Sequence, residues 1–214
     1  MKYLALIGDI VASKQLAKRS EFQSNLASLL KGISSRNPAL VSPYTITLGD
    51  EFQAVYQRAD TLFPDIFTIL SGIHPAQARF AIGVGELTTD INPKQALGMD
   101  GPAFHRAREA ITELKKTGYF IRLHGEPAQE PGDDPWRLLN HLLNLMTHQV
   151  DGWERNRLRI IRGLLRGASV SELEEELQIS KVAVYKNINA AALDEVKGVC
   201  DEITRILNRE LKLP

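Results

Sequence analysis

Two short stretches of this chain carry the residue types that do phosphate and metal chemistry. They are Ile7-Gly8-Asp9-Ile10 and Leu48-Gly49-Asp50-Glu51-Phe52. Each set of carboxylates follows an apolar run that reads as a strand, and each sits beside a glycine. Asp50 and Glu51 fall where two apolar runs, Tyr44 to Leu48 and Phe52 to Tyr56, turn back on each other as a hairpin. If the first strand pairs with that hairpin, Asp9 and Asp50 face one another and share divalent cations. Hard oxygen ligands of this kind suit Mg²⁺ or Mn²⁺, which keep some water and complete their shell from substrate phosphates. Two facing aspartates repel when both are charged, and a bound dication removes that repulsion. Either aspartate alone also reads as an ordinary turn acid; the pair at matching strand ends points to a nucleotide site.

The segment that follows Asp9, Ile10-Val11-Ala12-Ser13-Lys14, can turn backbone N–H groups toward phosphate oxygens, with Lys14 adding a positive charge. It is not a P-loop, because the glycine spacing is absent. A second set of phosphate partners is His105, Arg106 and Arg108, just after Gly101-Pro102. Arginine makes bidentate contacts with phosphate oxygens, and a helix N-terminus favours anions. The alternative is an exposed helix face of alternating charge. The remaining histidines, 74, 124, 141 and 148, are scattered and read as packing residues.

A third constellation lies near the C-terminus. Arg155, Arg157, Arg159, Arg162 and Arg166 fall within one predicted helix with no acid between them, and four of them form a stripe at steps of three or four. An anionic partner is one reading; the stripe holding the rest of the chain or a partner protein is another. Behind it, 169–192 has the outline of a helix-turn-helix. Ser171 followed by Glu174 fits a capped start, Leu173 and Leu177 face inward, Gln178-Ile179-Ser180 form the turn, and Ser180 caps the next helix. There Val184 and Ile188 point inward, leaving Lys181, Tyr185, Lys186 and Asn189 to meet DNA phosphates and base edges. Together with Arg159 and Arg162 these are the DNA-contact candidates. Glu172, Glu174, Glu175 and Glu176 make the preceding helix acidic and oppose that reading.

These residues need elements to position them. Tyr3 to Ile7 reads as a buried strand and Arg19 to Ile33 as an amphipathic helix. The hairpin follows, then a helix over Ala59 to Gly72, a strand over Ala78 to Glu86, a helix over Pro102 to Lys116 and a strand over Tyr119 to Leu123. That order describes an α+β sandwich of ferredoxin-like type with additions. Residues 126–135 hold three prolines and no apolar period, which marks a linker between a sheet domain, 1–125, and a helical domain, 136–214. The helical part reads as Trp136 to Gln149, Trp153 to Leu165, the helix-turn-helix, and Leu193 to Leu211.

With 214 residues, 43% hydrophobic and 24% charged, the chain has an ordinary globular composition. A formal net charge of zero means that any basic surface is local. The single cysteine, Cys200, excludes an intramolecular disulfide and a cysteine-built zinc cluster, and its helical-spaced apolar neighbours make it a buried thiol. No stretch approaches the roughly 20 apolar residues that cross a bilayer, and the apolar run at the N-terminus is too short for a signal peptide core. A cytoplasmic protein with no membrane partner is the expectation.

Asp9-Ile10 after the first strand, Gly49-Asp50-Glu51-Phe52 at a hairpin, and the strand Arg79-Phe80-Ala81-Ile82-Gly83-Val84-Gly85 resemble the class III nucleotidyl cyclase and GGDEF superfamily, which includes the palm domain of CRISPR polymerases. Together with 9–14, 101–110 and a C-terminal helix-turn-helix, the pattern is most similar to the SatD family. The superfamily resemblance implies a metal pair, Mg²⁺ or Mn²⁺, on Asp9 and Asp50, assisted by the Ile10 carbonyl and Glu51. It also implies a nucleoside triphosphate or cyclic nucleotide near Gly49, Ser13 and Lys14. Two departures stand out. Cyclases place an asparagine and, four residues later, an arginine where this chain has His105 and Glu109; and Leu48 replaces one glycine of the GGDEF signature.

The functional expectation is a DNA-binding regulator with a metal-dependent nucleotide-binding domain. An active nucleotidyltransferase or cyclase is the alternative, and an interaction adaptor with a degenerate palm domain a further one. Helix-turn-helix readers and cyclases both commonly work as dimers, so a homodimer is expected.

Overall fold

A computed structural model of the chain describes residues 1–16, 18–47, 49–127 and 134–212. The chain order is β1 (Lys2–Ile10), a 3-10 turn (Ser13–Gln15), α1 (Arg19–Ser34), β2 (Leu40–Ile46), β3 (Glu51–Tyr56), α2 (Leu62–Ile73) and β4 (Ala78–Glu86). It continues with α3 (Pro102–Leu114), β5 (Ile121–His124), α4 (Pro135–Val150), α5 (Arg155–Leu165), α6 (Val170–Leu177), α7 (Lys181–Ala190) and α8 (Leu193–Glu210). The strands form one mixed sheet in the order β2-β3-β1-β4-β5. β1 is antiparallel to both β3 and β4, and β5 joins β4 in parallel after the α3 crossover. The first four strands and α1 and α2 thus make the split β-α-β arrangement expected of a ferredoxin-like fold, and α3 and β5 are the additions.

Alternation along β1 sorts its side chains to two faces. Leu4, Leu6 and Ile10 join the cluster that includes Leu26, Leu30, Ile66 and Phe67 of α1 and α2. Ala5 and Ile7 point the other way, toward Ala103, Ala107 and Ile111 of α3. Small residues on both sides let α3 lie close to the sheet. The closest approach is at Gly83, where a Cβ atom would fall 2.0 Å from the Ala103 carbonyl oxygen.

Helices α4 to α8 continue the α1/α2 side. Trp136, Leu143, Ile161, Leu173, Val184, Ile203 and Leu207 belong to the same apolar cluster as Leu4 and Phe67. The ring of Phe67 stacks on Trp153 at 6.3 Å, joining α2 to the turn before α5. Asn208 of α8 accepts from the Ala59 amide at 2.8 Å and donates to Asp60 at 2.8 Å. Sheet and helices therefore share a core. Within the expected linker, 128–133 lie outside the described residues, and α4 opens at Pro135 with Asp134 accepting from the Trp136 amide at 3.1 Å. Proline is preorganised for that first helical position.

Several boundaries differ from the sequence reading for identifiable reasons. β2 starts at Leu40, ahead of Tyr44, because its register shifts absorb Pro43, and β2 is an edge strand where a missing N–H is tolerated. β3 starts at Glu51, which places that acid in the ladder and not in the turn. The α6 capping box is Ser169 with Glu172, two residues before the expected Ser171 and Glu174. The helix-turn-helix otherwise follows the expected outline, with Gln178 in the left-handed region at φ 53° and Ser180 accepting from the Ala183 amide at 3.2 Å.

Candidate functional site

Strand register builds the acidic centre. Antiparallel pairing sets Asp9 opposite Glu51 on β3 and opposite Arg79 on β4. Residues opposite one another share a face, so Glu51, Asp9 and Arg79 form a row beneath α3. The acid facing Asp9 across the ladder is thus Glu51. Asp50, expected in that position, sits one residue outside the ladder in the turn, where its carbonyl accepts from the Ile10 amide at 3.0 Å and its carboxylate accepts from the Ser13 hydroxyl at 2.5 Å. Gly49 has the positive φ, 65°, that the turn requires, and its carbonyl accepts from Gln23 of α1 at 2.8 Å. Leu48 lies outside the described residues.

Each carboxylate already has a partner. Asp9 Oδ2 lies 3.1 Å from Arg79 Nη1, and its Oδ1 lies 2.9 Å from Lys115 Nζ, just past the end of α3. Arg108 Nη1 donates to both Glu51 oxygens at 2.8 Å. The Asp9 and Glu51 side chains are 9% exposed, while Arg108 and Lys115 reach in from solvent at 54% and 46%. Two carboxylates, Asp9 and Glu51, thus meet three cations, Arg79, Arg108 and Lys115, while Asp50 meets the Ser13 hydroxyl. The mutual repulsion that a dication was expected to relieve is offset by the chain itself. The donors have the right chemistry for Mg²⁺ or Mn²⁺, but their arrangement does not fit a prepared ion site. Among the described residues no group of three or more His, Cys, Asp or Glu stands within metal-holding reach.

The other phosphate candidates separate. Ser13 is buried and turned to Asp50, so its hydroxyl serves the hairpin. Lys14 is exposed beside it. His105 bonds Asp100 at 2.8 Å on the surface, and Asp100 is held below the usual carboxylate range, first by the Gly101 amide and then by His105. Arg106 donates to the Val84 carbonyl at 2.6 Å. Val84 stands opposite Leu4 on β1, about 17 Å of strand rise from Asp9. Only Arg108 of the three reaches the acids, because α3 runs from one end of the sheet to the other. Two residues of the centre were not among the candidates. Arg79 is legible from β1–β4 pairing once the register is known; Lys115 needs the three-dimensional path of α3.

A second surface is α7. Val184 and Ile188 are buried, while Lys181, Val182, Tyr185, Lys186 and Asn189 are exposed. Three of the four α6 acids are engaged locally: Glu172 at the Ser169 cap, Glu174 with Lys181 at 3.8 Å, and Glu176 with Arg162. The arginine stripe is engaged too, which corrects the expectation that Arg159 and Arg162 are open to DNA. Arg162 is only 16% exposed and pairs with Glu176, and Arg159 lies 3.9 Å from the same carboxylate. Arg155 donates to the His74 carbonyl at 2.5 Å, Arg157 to Asn187 at 3.3 Å and Arg166 to Thr68 at 3.1 Å. The stripe holds α5 to α2, α6 and α7.

Among solved structures, a bacterial light-regulated adenylyl cyclase is similar to 57% of this chain at 16% identity, with a TM-score of 0.44; the match spans 43% of that protein. No curated protein matches the chain in sequence. The family model for SatD matches residues 3–200, a span that takes in the acidic centre, α7 and the first part of α8. By that match over most of its length, this chain belongs to the SatD family.

Proposed function

We propose that this chain is a DNA-binding regulator that reads double-stranded DNA through α7 and binds a nucleotide at the edge marked by Asp9, Asp50, Glu51 and Lys14. The observation that carries the proposal is the division of α7: one face is buried by Val184 and Ile188, the other is uncovered and holds two lysines, a tyrosine and an asparagine. A helix so presented after a tight turn suits the major groove. Lysines meet phosphates, asparagine pairs with adenine, and an apolar side chain such as Val182 meets a thymine methyl. Engagement of three α6 acids within the chain reduces the repulsion that this helix would otherwise offer. A homodimer on paired half-sites belongs to the same proposal. Mg²⁺ or Mn²⁺ enters as a variable of the nucleotide experiment, since Asp9 and Glu51 have their own counter-ions.

A second reading, nucleotidyl transfer, is favoured by the convergence of Asp9, Asp50 and Glu51. The self-neutralised arrangement supports binding more than chemistry.

The test is a gel shift of the intact chain on duplex DNA at low salt, with Lys186→Ala beside it. The variant is expected to bind several-fold more weakly and to reduce the salt slope by about one unit, with nucleotide affinity unchanged. No affinity at low salt from the intact chain ends the reading.

A further inference from the structure

A cleft of about 860 Å³ opens where the ends of β1 and β4 meet the turn between α4 and α5. Clefts of roughly 300–1,000 Å³ are the size that holds small molecules. It is adjacent to the acidic centre, because Val11 and Arg79 line it, but its walls are of another kind. Tyr119, Phe120 and Trp153 supply aromatic surface, with the imidazoles of His74 and His148 beside them. The rings of Tyr119 and His148 meet edge to face at 6.2 Å. Trp153 is held from behind by its stack on Phe67. Flat, rigid walls of this type suit a planar ring. Gln77, Asp151 and Glu154 add a carboxamide and two carboxylates to the lining, acceptors that suit a ring bearing amino groups.

We infer that this cleft takes the base of a nucleotide whose phosphates lie over the Val11-to-Lys14 loop. The inference rests on the nucleotide reading above and deepens it by naming where the base goes. One loop serves both ends of such a ligand: Val11 is in the cleft wall, and exposed Lys14 is three residues on. Arg79, which lines the cleft and pairs with Asp9, supplies a fixed cation between the two.

The location also supplies a route to α7. Leu158 of α5 and Glu154 at its cap line the cleft. Between them, Arg155 donates to the carbonyl of His74, another lining residue, and Arg157 donates to Asn187 on α7. An occupant therefore presses on the helix that holds the DNA-reading helix in place.

The experiment uses the full chain carrying Trp136→Phe, which leaves Trp153 as its one tryptophan. Adenosine and guanosine triphosphates, each with and without Mn²⁺, are titrated while Trp153 emission is followed, and heats are recorded in parallel. The expected result is saturable quenching by at least one nucleotide, weakened tenfold or more by Tyr119→Ala and by His148→Gln in variants of unchanged circular dichroism. Heats of equal affinity in all three proteins, with Trp153 unmoved, would overturn the inference and leave nucleotide binding standing elsewhere. Neither heat nor quenching at millimolar nucleotide would remove the nucleotide reading itself, and the inference with it.

Discussion

Replacing Asp65 by asparagine tests the physical account of the core most sharply. Asp65 lies on α2 and is 4% exposed. Its Oδ2 accepts from Asn37 at 2.5 Å and from the Tyr56 hydroxyl at 2.8 Å, and Tyr56 shares a 2.6 Å hydrogen bond with Tyr44. Burial pushes its carboxyl from 3.8 up to about 6, against the pull of those hydrogen bonds and of Arg166. Burial likewise pushes both tyrosine hydroxyls well above their ordinary range. At about 1.4 kcal/mol per tenfold, the charged form costs the native state about 3 kcal/mol at pH 7. Because the folded value is the higher one, the native state holds the proton between the two values and the unfolded chain does not. The stability due to this group is thus fullest below 3.8 and is lost as pH rises through about 6. Asparagine keeps the shape and the accepting oxygen without the charge. Urea unfolding of Asp65→Asn and the parent chain at several pH values reads the difference. The variant is expected to be the more stable by up to about 3 kcal/mol at pH 7, with the gap closing to below about 1 kcal/mol near pH 4. A variant no more stable at pH 7, or a gap that ignores pH, would refute the reasoning.

Three further outcomes follow from particular contacts. Gly83→Ala forces α3 off the sheet, because the new methyl meets the Ala103 carbonyl and the Ala107 amide; a loss of about 1–3 kcal/mol in thermal unfolding is expected. Asn140 of α4 accepts from the Leu123 amide at 2.9 Å and donates to its carbonyl at 2.8 Å, standing in for a missing strand beside β5. Asn140→Leu leaves two buried groups unpaired at about 1–3 kcal/mol each, and hydrogen exchange at Leu123 is expected to speed up accordingly. Burial raises the Cys200 thiol far above its ordinary range, so a thiol reagent is expected to react only as fast as the chain unfolds.

Much of the fold was legible because apolar period and glycine punctuation agree. The strand Ala78–Glu86 and the helix starting at Pro102 coincide with the sequence reading, and so do the inward Val184 and Ile188 of α7. Errors fell where a local signal was ambiguous. Pro43 hid the first half of β2, since proline in a strand is acceptable only at an edge. The acids were found from their spacing, but their counter-ions were not. Arg79 reaches Asp9 across a strand pair and Lys115 reaches it from the far end of a helix. Cation partners of this kind depend on long-range register, which composition does not carry. The arginine stripe shows the same limit: its spacing was right, and its use in docking α5 depends on where α2, α6 and α7 lie.

Self-neutralisation of the acidic centre gives Lys115 and Arg108 a place in the account of the site. Both are about half exposed and both arrive from the α3 side. Only the cation of each pair is exposed; the Asp9 and Glu51 side chains are buried, so loss of either cation leaves a buried charge unpaired.

The most direct measurement is fluorescence anisotropy of a labelled pool of duplex DNA titrated with the intact chain at low salt, with and without nucleoside triphosphate. The account predicts salt-dependent binding whose midpoint moves several-fold when nucleotide is added. An anisotropy that stays flat under both conditions would contradict it.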